Sequence, residues 1–273
     1  MDKTTVNGVE LEYEITGSGE PVLLISPALA DGFVPLVEEG PLADRYQLIR
    51  YHKRGWVGST HPDGAVSVEE HAADAAALLE RLGLPRAHVV GHSSGAAVAA
   101  QLALDDLHRV HTLTLLELTL LTVPSGPAFL EQATPVFDAY AAGAHETAVA
   151  TFLATVSGME WGDCRELLEA RVPGMVVQTV KDATTFFEVE LPALTQWTFG
   201  EDEAAKIDRP TLSMLGSGTE QLWVDVAEFL RSAMPDVEEC TIGGVGHFLH
   251  LEQPAPVALA IAEFLDRYPM DTQ

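Results

Sequence analysis

The sequence predicts an α/β protein in which a mostly parallel sheet is covered by helices on both faces. Three observations predict it. Short apolar, β-branched runs alternate with segments of helical spacing, a cadence that requires crossover connections between parallel strands. One such junction passes from the apolar strand at Ala87 through Gly91-His92-Ser93-Ser94-Gly95 into an alanine-rich helix. The 273 residues are enough for one large α/β domain or two small ones, and no linker rich in Pro, Gly or Ser splits them.

Taken in order, Val9–Ile15 alternates apolar and charged residues, the period of a half-exposed strand at a sheet edge, and Gly17-Ser18-Gly19 turns it round. Pro21–Ile25 is apolar throughout and reads as a buried strand, followed by a loop, Ser26–Gly32, expected beside Ser93. Tyr46–Tyr51 is a third strand, and the loop after it, His52-Lys53-Arg54-Gly55-Trp56-Val57-Gly58-Ser59, carries turn-shaping glycines, with His52 read as a structural or pocket-lining residue. Ser67 with Glu70 forms a capping box for a helix through His71 to Leu82, whose apolar positions recur at helical spacing until Gly83. Val110–Leu118 is another strand. Parallel pairing with right-handed crossovers brings its end, and with it Glu117, to the same sheet edge as Ser93.

From 122 to 206 the strand–helix rhythm stops. Prolines 124, 127, 135 and 173 punctuate helical patterns such as Ala141–Val156 and Trp161–Arg171, which read as a helical lid over the strand edge. Its Phe129, Phe137, Tyr140, Phe152, Met159, Trp161, Met175, Phe186, Phe187 and Trp197 supply enough apolar bulk to line a pocket, most of them building the lid's own core and a minority touching a ligand. The rhythm returns with a strand over Asp208–Gly216, a helix over Val224–Met234, an edge strand at Val237–Ile242, the loop Gly243-Gly244-Val245-Gly246-His247, and a helix over Pro254–Tyr268.

Asp and Glu number 41 against 15 Lys and Arg, a formal charge of −26 that repels nucleic acid and anionic membranes. So acidic a surface is expected to serve solubility, in a salty environment among others. No apolar run reaches membrane-spanning length, and Met1–Thr5 lacks the layout of a signal peptide. Cys164 and Cys240 are expected to be free thiols in a reducing cytoplasm, and they sit in no metal-ligand spacing; neither a metal nor an organic cofactor is expected.

The chemistry-bearing residues follow. A serine at the centre of Gly91–Gly95 is forced into a strained turn, which presents its hydroxyl above the sheet at the positive end of a helix. Serine is a poor nucleophile at neutral pH and needs a base, itself oriented by an acid. Of the ten histidines, His247 sits in a Gly-flanked loop after the final strand, where Gly246 leaves room to aim the ring over the sheet edge. His250 is expected to pack at a helix start, and His92 to point to the opposite side from Ser93. Glu117 lies in an apolar run, Leu115–Leu121, where a carboxylate is costly unless a cation or strong donors meet it.

The Ser93 turn, the Arg54-Gly55 loop and Gly246-His247-Phe248-Leu249-His250-Leu251-Glu252 together resemble the α/β-hydrolase superfamily over Val9 to Tyr268, the lid apart. That resemblance implies the α/β-hydrolase fold, a mostly parallel eight-stranded sheet with a helical lid inserted after the sixth strand. The core then occupies 1–121 and 207–273 and the lid 122–206. It also implies a catalytic set of Ser93, His247 and an acid, with the N–H groups of Ser94 and Ala28 as the oxyanion hole. Most members place the acid where this chain has Thr219; Glu117 is the preferred candidate, Glu220 the alternative and Asp225 a poor third. The spacing from Ser93 to Glu117, with Gly-x-Ser-Ser-Gly followed by Glu-Leu, is similar to zearalenone-type lactonases, which use a Ser-His-Glu triad. The resemblance therefore implies a serine hydrolase that cleaves a carboxylic ester or lactone of a small, largely apolar substrate through an acyl-enzyme. C–C bond hydrolysis and perhydrolysis on the same triad stay open, as does an inactive ligand-binding homologue that kept the fold. Monomer and homodimer are both open.

Overall fold

β-Branched and leucine-rich runs form β1 (Asp2–Val6), β2 (Val9–Gly17), β3 (Glu20–Ile25), β4 (Tyr46–Tyr51), β5 (Ala87–His92), β6 (Val110–Leu116), β7 (Thr211–Gly216) and β8 (Val237–Ile242). In the computed structural model, which describes residues 1–270, they make one sheet in the order β1-β2-β4-β3-β5-β6-β7-β8. Residues 271–273, the end of the second core segment expected from sequence, lie outside the described residues. The β1–β2 and β2–β4 pairings are antiparallel and all others parallel. The fold is the mostly parallel eight-stranded sheet of the α/β-hydrolase type, with helices on both faces.

Two departures from the sequence reading concern the amino-terminal side. Asp2–Val6, which has too few apolar residues to signal a strand, pairs with β2 and supplies the outer strand. Val9–Gly17 is therefore not at the edge: it is hydrogen-bonded on both sides, and its alternation reflects one solvated face.

Period-2 alternation sends neighbouring side chains to separate cores. Leu23, Ile25 and Val89 join the core under the helices Val68–Arg81 and Ser94–Asp105. Val22, Leu24 and Val90 join the core under Pro254–Asp266. The first of these helices starts on the expected capping box: Glu70 N–H donates to Ser67 Oγ at 3.2 Å, and Ser67 N–H to Glu70 Oε2 at 2.9 Å.

Between β6 and β7 the chain is helical from Gly126–Gln132 to Glu201–Ala204, with no strand among the described residues. The helix read over Ala141–Val156 starts later, as His145–Ser157, because Gly143 at φ 75° separates it from the preceding helix Thr134–Ala141. Thr185–Glu190 is π-helical. No helix among the described residues is long and apolar enough to cross a membrane.

The carboxyl ends of β3, β5, β6 and β7 gather at one edge, where backbone packs closely on backbone. A Cβ on Gly95 would stand 2.1 Å from the Ile25 carbonyl oxygen, and one on Gly91 2.5 Å from the Gly95 oxygen. Only glycine allows helix and strand to approach so closely. Gly95→Ala is expected to destabilise the fold by about 2–3 kcal/mol through overpacking against backbone that cannot yield; a Tm within a degree of the parent would contradict this.

Candidate active site

β5 ends at His92, and Ser93 enters the next helix with φ 55° and ψ −121°, a conformation L residues rarely hold. It is fixed by its own N–H donating to the Leu116 carbonyl at 2.9 Å. Glu117 follows β6 directly at φ 44°, another strained position, with its N–H on the Met214 carbonyl at 3.0 Å. His247 lies in the turn after β8 and is 3% exposed. These three residues, distant in sequence, meet at the sheet edge. His247 Nδ1 is 2.7 Å from Glu117 Oε2, and Nε2 is 3.1 Å from Ser93 Oγ. A carboxylate only accepts, so the ring proton sits on Nδ1 and the Nε2 lone pair faces the serine hydroxyl.

Glu117 is 2% exposed and has no cation. Its stabilisation comes from donors: Gly216 N–H to Oε1 at 2.8 Å and the Thr219 hydroxyl to Oε2 at 2.7 Å. Burial pushes its pKa up from the usual carboxylate value, and these two donors pull against the rise. Burial pushes His247 down, so the resting imidazole is neutral and able to take a proton.

The alternative acid is not part of this cluster. Glu220 is exposed at the start of the helix Gln221–Ala233. Asp225, further along that helix, accepts the Ser125 N–H at 3.1 Å and the Gln221 amide at 2.7 Å. Thr219, at the position where an acid was looked for, instead donates to Glu117. His92 also departs from expectation: it is not turned away, but packs 4.7 Å from the His247 ring, and its Nε2–H donates to the His247 carbonyl at 2.9 Å. His250 is wholly buried at the start of the short helix Leu249–Glu252, as its sequence position suggested. His52 is held between Glu12 at 3.0 Å and Asp31 at 3.1 Å, a structural bridge.

Several contributors carried no sequence signal. Trp223 stacks on His247 at 3.8 Å between ring centroids, and Thr119 Oγ1 is 3.1 Å from Ser93 Oγ. Glu190, from the π-helical turn, is buried against Lys53 Nζ at 2.9 Å and the Trp56 indole N–H at 2.8 Å, and it accepts a hydrogen bond from the Ser94 hydroxyl. The Ser94 N–H is one of the orphan donors at the start of the helix it begins, and Ser94 borders the space beside Ser93.

That space is a cleft of about 650 Å³ free of protein atoms, partly open to solvent, bordered by Ala28, Ser93, Ser94, Thr119 and Trp223. Of the bulky residues singled out in the helical segment, Phe129, Phe137, Phe152, Phe186 and Phe187 line it, while Tyr140 and Trp197 do not. No charged side chain borders it. Among the described residues no group of three or more His, Cys, Asp or Glu is placed to hold a metal ion. Cys164 and Cys240 are free thiols.

Comparison with known proteins agrees with the architecture. A family described as having the alpha/beta hydrolase fold matches residues 21–254. A putative carbamate hydrolase, RutD, of Azorhizobium caulinodans is 38% identical over 109 residues, 39% of this chain and 40% of that protein, so the similarity spans about two fifths of the relative's length. The crystal structure of an alpha/beta hydrolase from Sphaerobacter thermophilus is 26% identical, with a TM-score of 0.76, over 97% of this chain and 100% of that one. A thermophilic esterase from Thermogutta terrifontis, at 23% identity and a TM-score of 0.78, covers 98% of this chain and 97% of its own and shares the fold.

Thr219→Val removes a donor that favours the charged form of Glu117, so the carboxyl pKa rises. A process that needs the Glu117 carboxylate beside a neutral His247 is then lost at higher pH on the acid side than in the parent. Difference infrared titration of the buried carboxyl should show its midpoint moved upward; an unchanged or lowered midpoint contradicts the assignment.

Proposed function

The chain belongs to the α/β-hydrolase fold family, and from that membership we propose that it is a serine hydrolase cleaving a carboxylic ester or lactone of a small, largely apolar substrate. The observation that carries this reading is the continuous hydrogen-bonded run from Ser93 Oγ through the His247 ring to Glu117, at the floor of an apolar cleft. His247 Nε2 takes the serine proton as Oγ attacks the carbonyl carbon, and Glu117 stabilises the imidazolium. The N–H groups of Ser94 and Ala28, both bordering the cleft beside Ser93, hold the tetrahedral oxyanion. The proton passes to the leaving alcohol, and water deprotonated by the same imidazole releases the acid from Ser93.

The helical segment 122–206 acts as a cap that keeps bulk water from the acyl-enzyme. With no charged group in the cleft wall and a chain charge of −26, substrates bearing a carboxylate are disfavoured in the pocket and in approach. This favours neutral esters and lactones over the anionic diketones of C–C bond hydrolysis.

A fluorophosphonate is expected to label Ser93 stoichiometrically, with no adduct on Ser93→Ala; absence of labelling in the parent would sink the hydrolase reading. Glu117→Gln should lower kcat on a p-nitrophenyl ester by roughly 10³–10⁴, whereas Glu220→Gln stays within about twofold of the parent. The reverse order of effects would move the acid to Glu220.

A further inference from the structure

We propose that the substrate is a neutral ester joining a bulky apolar acyl group to an alcohol of one or two carbons, an inference that rests on the hydrolase reading above. The basis is that Ser93 stands between two cavities of unlike size and lining. One is the cleft of about 650 Å³. The other, by the same measure, has about 220 Å³ free of protein atoms, a third of the first. They share Ala28, Ser93, Phe152 and Val156, so a carbonyl seated over Ser93 extends one substituent into each.

Proton transfer decides which substituent goes where. When Ser93 Oγ bonds to the carbonyl carbon, its proton moves to His247 Nε2, and the carbonyl electron pair moves onto the oxyanion. As that pair returns, the C–OR bond breaks, the RO⁻ oxygen takes the proton from Nε2, and ROH departs while the acyl group stays on Oγ. The leaving oxygen must therefore lie against His247, and of the two cavities it is the small one that His247 lines, with Leu29, Leu153 and Phe248 closing it. Once ROH has left, the same space admits the attacking water at Nε2.

The acyl group takes the large cleft, walled by Leu121, Val136, Phe186 and Leu194. Its outer wall, Leu130, Phe137, Phe187 and Leu191, separates it from an open apolar groove of about 830 Å³. A lactone forces its alkoxide carbon and acyl chain to share a ring, so the two cannot divide between the larger and the smaller cavity, and open-chain esters of short alcohols are preferred over lactones of similar size.

The test compares two isomers of equal composition, methyl octanoate and heptyl acetate, by kcat/KM in a pH-stat, with δ-nonalactone as a third substrate. Methyl octanoate is expected to exceed each of the others by at least roughly tenfold, since one misplaced methylene already costs about that much. Leu153→Ala, which lines only the small cavity of the two, should narrow the methyl octanoate to heptyl acetate ratio; thermal melting checks that the variant is folded. Equal or faster turnover of heptyl acetate or the lactone by the parent overturns the proposal while leaving the hydrolase reading in place. No turnover of any of them together with no fluorophosphonate adduct on Ser93 overturns both, and labelling without turnover overturns the substrate class alone.

Discussion

A carboxylate buried without a cation organises the site. Glu117 is sealed from water at the end of β6, and its charge is met by one backbone N–H, one hydroxyl and one imidazole. Each of these comes from a different part of the chain: Gly216 ends β7, Thr219 lies in the loop beyond it, and His247 follows β8. Unmet, such a group costs several kcal/mol in an apolar interior. The sheet order, which sets β7 beside β6 and β8 beside β7, is what makes the three donors converge.

Glu117 also has to turn out of the strand to reach them, and its left-handed backbone is the local cost. Ser93 carries a similar strain one strand away, held by a hydrogen bond to Leu116, the residue before Glu117. The two strained residues are thus braced against each other. Trp223 and His92 both pack against the His247 ring, which leaves it little freedom to leave the line between acid and hydroxyl.

The helical segment above the sheet is fastened by polar contacts as well as apolar packing. Glu190, Lys53, Trp56 and Ser94 form a buried cluster that ties its π-helical turn to the start of the helix after Ser93. The Trp197 indole N–H donates to Gln101 at 2.8 Å, and the Arg171 guanidinium to the Leu251 carbonyl at 2.7 Å. Directional bonds of this kind fix where the wall of the cleft stands relative to Ser93, and removing one partner of a buried pair such as Lys53–Glu190 costs about 3–5 kcal/mol. The size difference between the two cavities beside Ser93 depends on that fixed placement.

Residues whose backbone demands or burial cost are local were legible in the sequence. Gly91 and Gly95 flanking Ser93 announce a turn only glycine permits, Ser67 with Glu70 announces a helix start, and Glu117 in an apolar run announces a buried carboxylate in need of donors. The solvated alternation of β2 misled about its place in the sheet, because period 2 reports which faces see water and says nothing of which edges are paired. Asp2–Val6 was silent because an outer strand needs few apolar residues. The role of Thr219, the stacking of Trp223 and the placement of Glu190 beside Ser94 arise from contacts between segments far apart in the chain. The sequence by itself therefore determined the strands other than β1, the strained serine and the buried acid, since each is a property of a few consecutive residues. Only the tertiary structure decided which hydroxyl supports that acid and how much room lies on either side of the serine, because those depend on distances across the sheet edge that no local pattern encodes.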